Sequence, residues 1–99
     1  MDIEVTRFVR FENIGALKAF CDVAIDGTVL IKGIRIVEGR TGPFVTMPRQ
    51  QSKNNEKWFD SVVVLDNRLR ERMNQHILET YKNSYQLQTT VKSGHKLEA

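Results

Sequence analysis

The sequence lacks several features that large functional classes require. Its only cysteine is Cys21, so no internal disulfide can form, and a single thiol is typical of proteins from a reducing cytoplasm. No apolar run approaches the roughly 20 residues that a membrane-spanning helix needs. The segment Met1–Glu4 has neither the basic nor the apolar part of a signal peptide. We therefore predict a cytoplasmic protein with no membrane partner.

Residues with catalytic or metal-binding chemistry are also scarce. Of the two histidines, His76 and His95, neither has a cysteine, histidine or carboxylate at a spacing typical of zinc sites. The glycines at 39 and 42 are too close together for a phosphate-binding loop, and no Gly-Lys-Ser/Thr follows them. No motif frames a nucleophile. Cys21 lies in an apolar alternation without a histidine or basic cluster, which favours a small buried side chain. The sequence predicts a protein that is not an enzyme and has no cofactor, metal or small-molecule substrate.

Glycine and proline are concentrated in a central stretch that organises the chain. Val29–Val37 is rich in β-branched residues and is typical of a strand. Glu38–Pro43 contains two glycines and a proline and predicts a turn, after which Phe44–Met47 predicts a second, short strand. The apolar residues move from odd to even positions at Gly33, which indicates a β-bulge.

Other strands are predicted on both sides of this stretch. Apolar and polar residues alternate over 3–11 and 17–25, and Asp26-Gly27 predicts a tight hairpin into the third strand. The first four strands should therefore form an antiparallel meander. Residues 49–57 include no apolar side chain and predict an exposed loop. Trp58–Leu65 is apolar on both faces and is predicted to be a fifth strand.

An amphipathic helix is predicted from about Asp66 to Tyr85, with Asp66 or Asn67 as its N-cap. Its apolar residues recur every four positions, at Leu69, Met73, Ile77, Tyr81 and Tyr85. Residues 87–99 are polar and aperiodic and are predicted to be a flexible tail. The expected fold class is α+β, a small antiparallel five-stranded sheet followed by a C-terminal helix, in a single domain of residues 1–86.

The net charge of +3 is unevenly distributed along the chain. Residues 1–48 carry six basic and six acidic side chains, whereas residues 49–99 carry nine basic and six acidic ones. A local basic excess favours a polyanionic partner, and the alternative is an ordinary solvated basic surface. Arg70 is the most informative cation because it falls on the apolar arc of the predicted helix. It either contacts phosphate or is an exposed first-turn arginine that bridges to Asp66 or Asn74.

The central stretch resembles the signature of a bacterial family. The segment IRIVEGRTGPFVTMP is similar to that of the stage V sporulation protein G (SpoVG) family, and a looser similarity extends from Val5 to about Tyr81. The matching residues are Ile34, Arg35, Ile36, Val37, Glu38, Gly39, Gly42, Phe44, Val45, Met47 and Pro48. The resemblance implies a compact antiparallel sheet with a C-terminal helix, a homodimer, and a cytoplasmic regulator linked to sporulation, septum formation and virulence. It also implies binding to DNA and in some members to RNA.

The resemblance also implies where nucleic acid binds. After Met-Pro the family typically has a serine and a basic pair, and here those positions are Arg49-Gln50-Gln51. His-Pro and Asn-Ser of the family are replaced by Val63-Val64 and Asp66-Asn67. The position of the family's loop after Met-Pro, together with the basic excess, predicts a nucleic-acid site made of Arg49, Gln50, Gln51, Lys53, Arg68, Arg70 and Arg72.

A homodimer is also expected from the apolar side chains. Phe8, the two-faced segment Trp58–Leu65 and a second apolar edge of the helix expose more hydrophobic surface than a 99-residue monomer tolerates. The alternative function is a dimeric protein-interaction module that does not bind nucleic acid directly.

Overall fold

Four antiparallel strands form the main sheet. The computed structural model describes the backbone of residues 1–12 and 15–91, and the side chains of those residues as far as Ser84. The strands are β1 (Ile3–Arg10), β2 (Leu17–Ile25), β3 (Val29–Gly39) and β4 (Gly42–Thr46). Their order in the sheet is β1-β2-β3-β4, so the predicted meander is confirmed.

The turn between β2 and β3 has the geometry that its sequence predicts. Asp26 and Gly27 have φ values of 54° and 63°, and the Thr28 amide donates to the Ile25 carbonyl at 2.9 Å. Positive φ at both central residues is the mark of a type I′ turn, whose twist matches that of the flanking strands. This turn fixes the register of β2 on β3.

The bulge predicted at Gly33 is present. Cys21 pairs with Ile34 and Val23 with Ile31, so Asp22 alone faces two residues of β3. Gly33 has a φ of 83°, and its amide donates to Oδ1 of Asp22 at 3.1 Å. Because the extra residue restores the phase of the alternation, β3 directs isoleucines to the core on both sides of the bulge.

A second irregularity lies in β1 between Val5 and Arg7. It moves Phe8 to the helix side of the sheet, where its ring centroid is 6.5 Å from that of Tyr81. Phe8 was predicted to belong to an exposed dimer surface. In the structure it is a half-buried core neighbour, because the bulge shifts the phase of β1.

The helix α1 (Asn67–Val91) covers one face of the sheet. Asp66 is its N-cap, since Oδ1 accepts the Leu69 amide at 2.9 Å. The buried core consists of Ala19, Cys21, Val23, Ile31, Ile34, Ile36, Val64, Met73 and Ile77. The predicted apolar stripe of the helix is confirmed as far as Tyr81, while the side chain of Tyr85 lies outside the described residues.

The helix extends six residues beyond its predicted end at Tyr85. Part of its anchorage comes from Arg10 of β1, whose Nη1 donates to the Tyr81 carbonyl at 2.9 Å and to Oγ of Ser84 at 3.0 Å. Residues 87–91 are thus helical, and residues 92–99 lie outside the described part of the chain. The flexible tail stays a prediction.

The segment predicted as a fifth strand is arranged differently. Only β6 (Trp58–Asp60) is a strand, and it pairs with β5 (Arg49–Gln51) in a separate two-stranded sheet. Residues 61–66 have no strand structure. Of their side chains Val64 is buried, whereas Val63 and Leu65 are 61% and 89% exposed. The apolar character of this segment reflects packing of Val64 under α1, since the chain must leave the hairpin to reach the helix. The α+β class with an antiparallel sheet and a C-terminal helix is confirmed, with the strands divided four and two.

Candidate nucleic-acid interface

The β5–β6 hairpin positions the first predicted site residue. Arg49 pairs with Asp60 across the two strands, and its Nε lies 3.3 Å from Oδ1 of Asp60. Both side chains are about half exposed. An exposed ion pair of this kind contributes little to stability, so Arg49 can exchange Asp60 for another anion at small cost.

The first turn of α1 positions a second predicted site residue, Arg70. Arg70 is exposed, and its guanidinium donates to the Val64 carbonyl at 3.2 Å and to Oδ1 of Asn67. Arg70 is exposed, but the predicted bridge to Asp66 or Asn74 is wrong, since its side-chain partners are Asn67 and Val64; the phosphate contact stays a prediction. These contacts hold the guanidinium toward the sheet edge.

Arg49 and Arg70 line the same cavity, which we call the arginine cleft. It has a volume of about 270 Å³ and lies between β4, the hairpin and the start of the helix. Its lining consists of Val45, Thr46, Met47, Arg49, Asp60, Arg70 and Asn74. Two arginines face one carboxylate, so the cleft has an excess of positive charge and donors suited to phosphate.

The helix terminus adds to this positive potential. The first turn of α1 contains no acidic residue, although it contains Arg68 and Arg70. The N-cap carboxylate of Asp66 balances part of the positive charge of the helix N-terminus, while Arg68 and Arg70 add positive charge beside it.

The other predicted residues are placed in different surroundings. Gln50 and Gln51 lie on β5, where Nε2 of Gln51 donates to the Glu56 carbonyl at 3.1 Å. Lys53 and Arg68 are exposed and lie outside the lining of the arginine cleft.

Arg72 lies apart from the cleft. Its guanidinium donates to the Met1 carbonyl at 2.9 Å, and it lines a second cavity of about 310 Å³. The carboxylates of Asp2 and Glu79 share that cavity. Arg72 is therefore in a mixed-charge environment beside β1, whereas Arg70 faces β4 and the hairpin.

Sequence reasoning missed a second group of cations and aromatic rings, on the sheet face opposite α1. Arg7 and Phe20 are in contact there, and Arg35 is the cross-strand partner of Phe20. Phe20 occupies a polar phase of the β2 alternation, between Lys18 and Asp22. An aromatic residue at a position expected to face solvent was the available signal.

Two further observations concern residues 1–12 and 15–91. No group of three or more histidine, cysteine, aspartate or glutamate side chains within this part of the chain is placed to hold a metal ion. In the same part of the chain, α1 is too polar to cross a membrane.

Comparison with known proteins assigns the family. The family model described as SpoVG matches residues 1–83. A septation protein SpoVG 1 from Listeria monocytogenes is 30% identical over 82 residues, which cover 83% of this chain and 79% of the relative. A septation protein SpoVG from Agathobacter rectalis is 30% identical over 82 residues and is covered to 93% of its length. One from Treponema denticola is 27% identical over 85 residues, which cover 85% of this chain and 89% of the relative. The chain belongs to the SpoVG family.

Proposed function

We propose that this protein is a cytoplasmic regulator that binds DNA, and in some settings RNA, as a homodimer. Its role would be of the sporulation or septation kind named for its relatives, and it would act as a regulatory protein and not as an enzyme. The observation that carries this proposal is the convergence of Arg49 and Arg70 in the arginine cleft. Neither residue is close to the other in sequence, and their shared orientation concentrates donors that match phosphate oxygens.

Weak and largely sequence-tolerant binding is expected from such a site. Phosphate contacts carry no direct sequence information and give an affinity that falls steeply with salt. Two protomers would present two clefts and four arginines. Changing Arg49 and Arg70 together to alanine should weaken binding to all sequences alike. It should also flatten the log–log salt slope on duplex DNA by roughly 2 to 4, since each lost phosphate contact removes about 0.9.

Arg72→Ala is the matched control for this experiment. It removes the same charge from the same helix but lies in the cavity beside Asp2, so its binding curve and slope should stay close to those of the wild type. The measurement is fluorescence anisotropy of short DNA and RNA between 20 and 200 mM salt, an order-of-magnitude range over which such electrostatic binding changes strongly. Absence of binding at low salt would exclude this function and favour a dimeric protein-interaction module.

The dimer is supported by the exposed apolar side chains of residues 58–65, which we call the apolar ridge: Trp58, Phe59, Val63 and Leu65. All four side chains are exposed, Leu65 to 89%. Large exposed apolar side chains concentrated in one short segment are typical of an interface. Placing this ridge at the two-fold axis would bring two arginine clefts next to each other.

Sedimentation tests the dimer directly. The wild type should sediment at twice the chain mass of 11.4 kDa at micromolar concentration, and Val63→Asp/Leu65→Asp should sediment as a monomer with an unchanged circular dichroism spectrum. Leu30→Asp is the control, because Leu30 is also exposed, at 52%, but lies on β3 away from the ridge. A monomeric wild type contradicts the dimer, and dissociation by Leu30→Asp alone contradicts its placement on the ridge.

A further inference from the structure

The sheet has a face that α1 does not cover. Val9, Phe20, Arg35 and Thr46 are direct cross-strand partners in one row through β1, β2, β3 and β4. The neighbouring row of Phe8, Cys21 and Ile34 belongs to the core under the helix. Because adjacent residues of a strand point to opposite faces, the row containing Phe20 lies on the far side, which we call the open face.

Aromatic and basic groups meet at the centre of the open face. The ring of Phe11 lies 5.4 Å from that of Phe20, and Cζ of Arg7 lies 5.0 Å from the Phe20 centroid. Arg35 faces Phe20 from β3. Phe11 and Phe20 are both partly exposed, so two aromatic rings on which bases can stack are available together with two guanidinium groups.

Both arginines lack a carboxylate partner within 4 Å among the residues that the structure describes. Arg7 is opposite Asp22 in the register, yet Oδ1 of Asp22 accepts the Gly33 amide and the Asp22 side chain is buried. The carboxylate opposite Arg7 is thus hydrogen-bonded within the bulge. The guanidinium rests on Phe20 instead, a contact that an incoming base can replace.

The chemistry of these groups selects the occupant. A second copy of this chain on the open face would bring the same two cations, Arg7 and Arg35, against that surface, which is unfavourable because like charges repel. A polynucleotide brings a phosphate for each arginine. A duplex keeps its bases stacked on one another, whereas a single strand can present base faces to phenyl rings.

We propose that the open face binds single-stranded nucleic acid, with bases stacked on Phe20 and Phe11 and phosphates contacting Arg7 and Arg35. The inference rests on the proposed function and deepens it by naming unpaired bases as the ligand of the sheet, while the arginine cleft contacts the backbone. Four strands about 4.8 Å apart make a row about 14 Å wide, a size at which other sheet surfaces stack two or three bases.

The test compares three probes of equal phosphate number in fluorescence anisotropy, with a 5′-phosphate on every strand: a thymidine dodecamer, the same chain with abasic sugars, and a hexamer duplex. Wild-type protein should bind the thymidine probe at least about tenfold more tightly than the abasic one, because the phosphates are the same and only stacking differs. Phe20→Leu should reduce the preference for the thymidine probe about tenfold and leave duplex binding unchanged. Val29→Ala is the control, since Val29 is an apolar residue that is 54% exposed and lies outside both the open face and the apolar ridge, and it should behave as the wild type.

Arg35→Gln is the second variant, chosen because Arg35 is exposed and its replacement leaves the core intact. It should weaken thymidine binding and lower the salt slope by about 0.7, the value for one single-strand phosphate. Equal binding of thymidine and abasic probes by the wild type, or an unchanged preference in Phe20→Leu and an unchanged slope in Arg35→Gln, would overturn the inference. A change in sedimentation by these variants without a base preference would assign the face to a protein partner and also overturn it. Failure of the proposed function is distinct, because then none of the three probes binds at low salt.

Discussion

Replacing Gly33 with alanine would place a Cβ at a position in β3 where the backbone has a φ of 83°. An alanine Cβ built there meets no atom within 4 Å, so the cost comes from the backbone conformation alone. An L-residue in the left-handed region costs about 1–2 kcal/mol relative to its preferred conformation. The reduced freedom of the unfolded chain returns about 0.4–1 kcal/mol. We expect a net loss of about 1 kcal/mol if the bulge is retained.

Rearrangement of the bulge is the more costly alternative. The Gly33 amide is the donor for Oδ1 of Asp22, and the Asp22 side chain is 5% exposed. A buried polar group that loses its partner costs about 1–3 kcal/mol, so the bulge should be retained with a strained residue at position 33. Urea unfolding measures the loss, and a domain of this size shifts its Tm by about 4–8 °C for each kcal/mol.

Gly33→Asn is the informative control, because asparagine tolerates the left-handed region better than alanine. It should be more stable than Gly33→Ala while adding a larger side chain to the same open space. If alanine at this position is as stable as glycine, or if asparagine is no better than alanine, the attribution of the cost to a positive φ is wrong.

Two other predictions concern Cys21 and Gly39. Burial, with a smaller contribution from Asp22, raises the pKa of the Cys21 thiol from 9.0 to about 12. The folded state therefore favours the protonated thiol. The stability that the protonated thiol contributes is complete below pH 9 and is lost between pH 9 and 12. Urea unfolding should show a stability that falls by up to about 1.4 kcal/mol for each pH unit above 9, and Cys21→Ala should remove that slope. Gly39→Ala places a Cβ 2.8 Å from Cε1 of Phe44, but the Phe44 ring is half exposed and can move. The loss of stability should therefore be below about 1 kcal/mol and vanish in a Phe44→Ala background. A loss that persists in that background would show that the backbone causes the cost.

The main sheet could be predicted because its signals are local. Asp26-Gly27 specifies a turn type, and a change in the phase of the alternation at Gly33 can arise only from an added residue in the pairing. The helix start was also predictable, since Asp66 is an N-cap that precedes a regular apolar period. None of these inferences needs a contact between distant segments.

The segment 61–66 could not be assigned in the same way. A run of β-branched residues fits a strand, but the same residues pack under a helix without any strand partner, and hydrophobicity does not distinguish the two. Conversely, Arg49–Gln51 is entirely polar and still forms a strand, because ladder hydrogen bonds come from the backbone.

The candidate site was predictable only in part. Arg70 and Arg72 are two positions apart, which places them about 200° apart around a helix, so their separation into different cavities follows from geometry that the sequence contains. The proximity of Arg49 to Arg70 could not be predicted in this way, because it depends on how the hairpin folds back against β4 and the helix. The cluster around Phe20 required the cross-strand register, which brings Arg35 from a strand 15 positions away.

The two arginines of the arginine cleft lie on segments of unequal local stability, because Arg49 is on the β5–β6 hairpin. All six residues of its strands are exposed, and a main attachment at its base is the Pro48 carbonyl, which accepts from the amide and the hydroxyl of Ser61. Segments with so little buried surface open at a small fraction of the global unfolding free energy. Arg49 therefore belongs to a part of the molecule that opens frequently, while Arg70 belongs to the stable helix. A ligand that bridges both and binds only the closed form would slow amide hydrogen exchange in the hairpin by about 100-fold at 100 times its Kd. Amides of β2 and β3 that exchange only by global unfolding would slow by the same factor, because that state also releases the ligand. The hairpin amides exchange sooner and therefore report occupancy of the cleft without a label on the ligand.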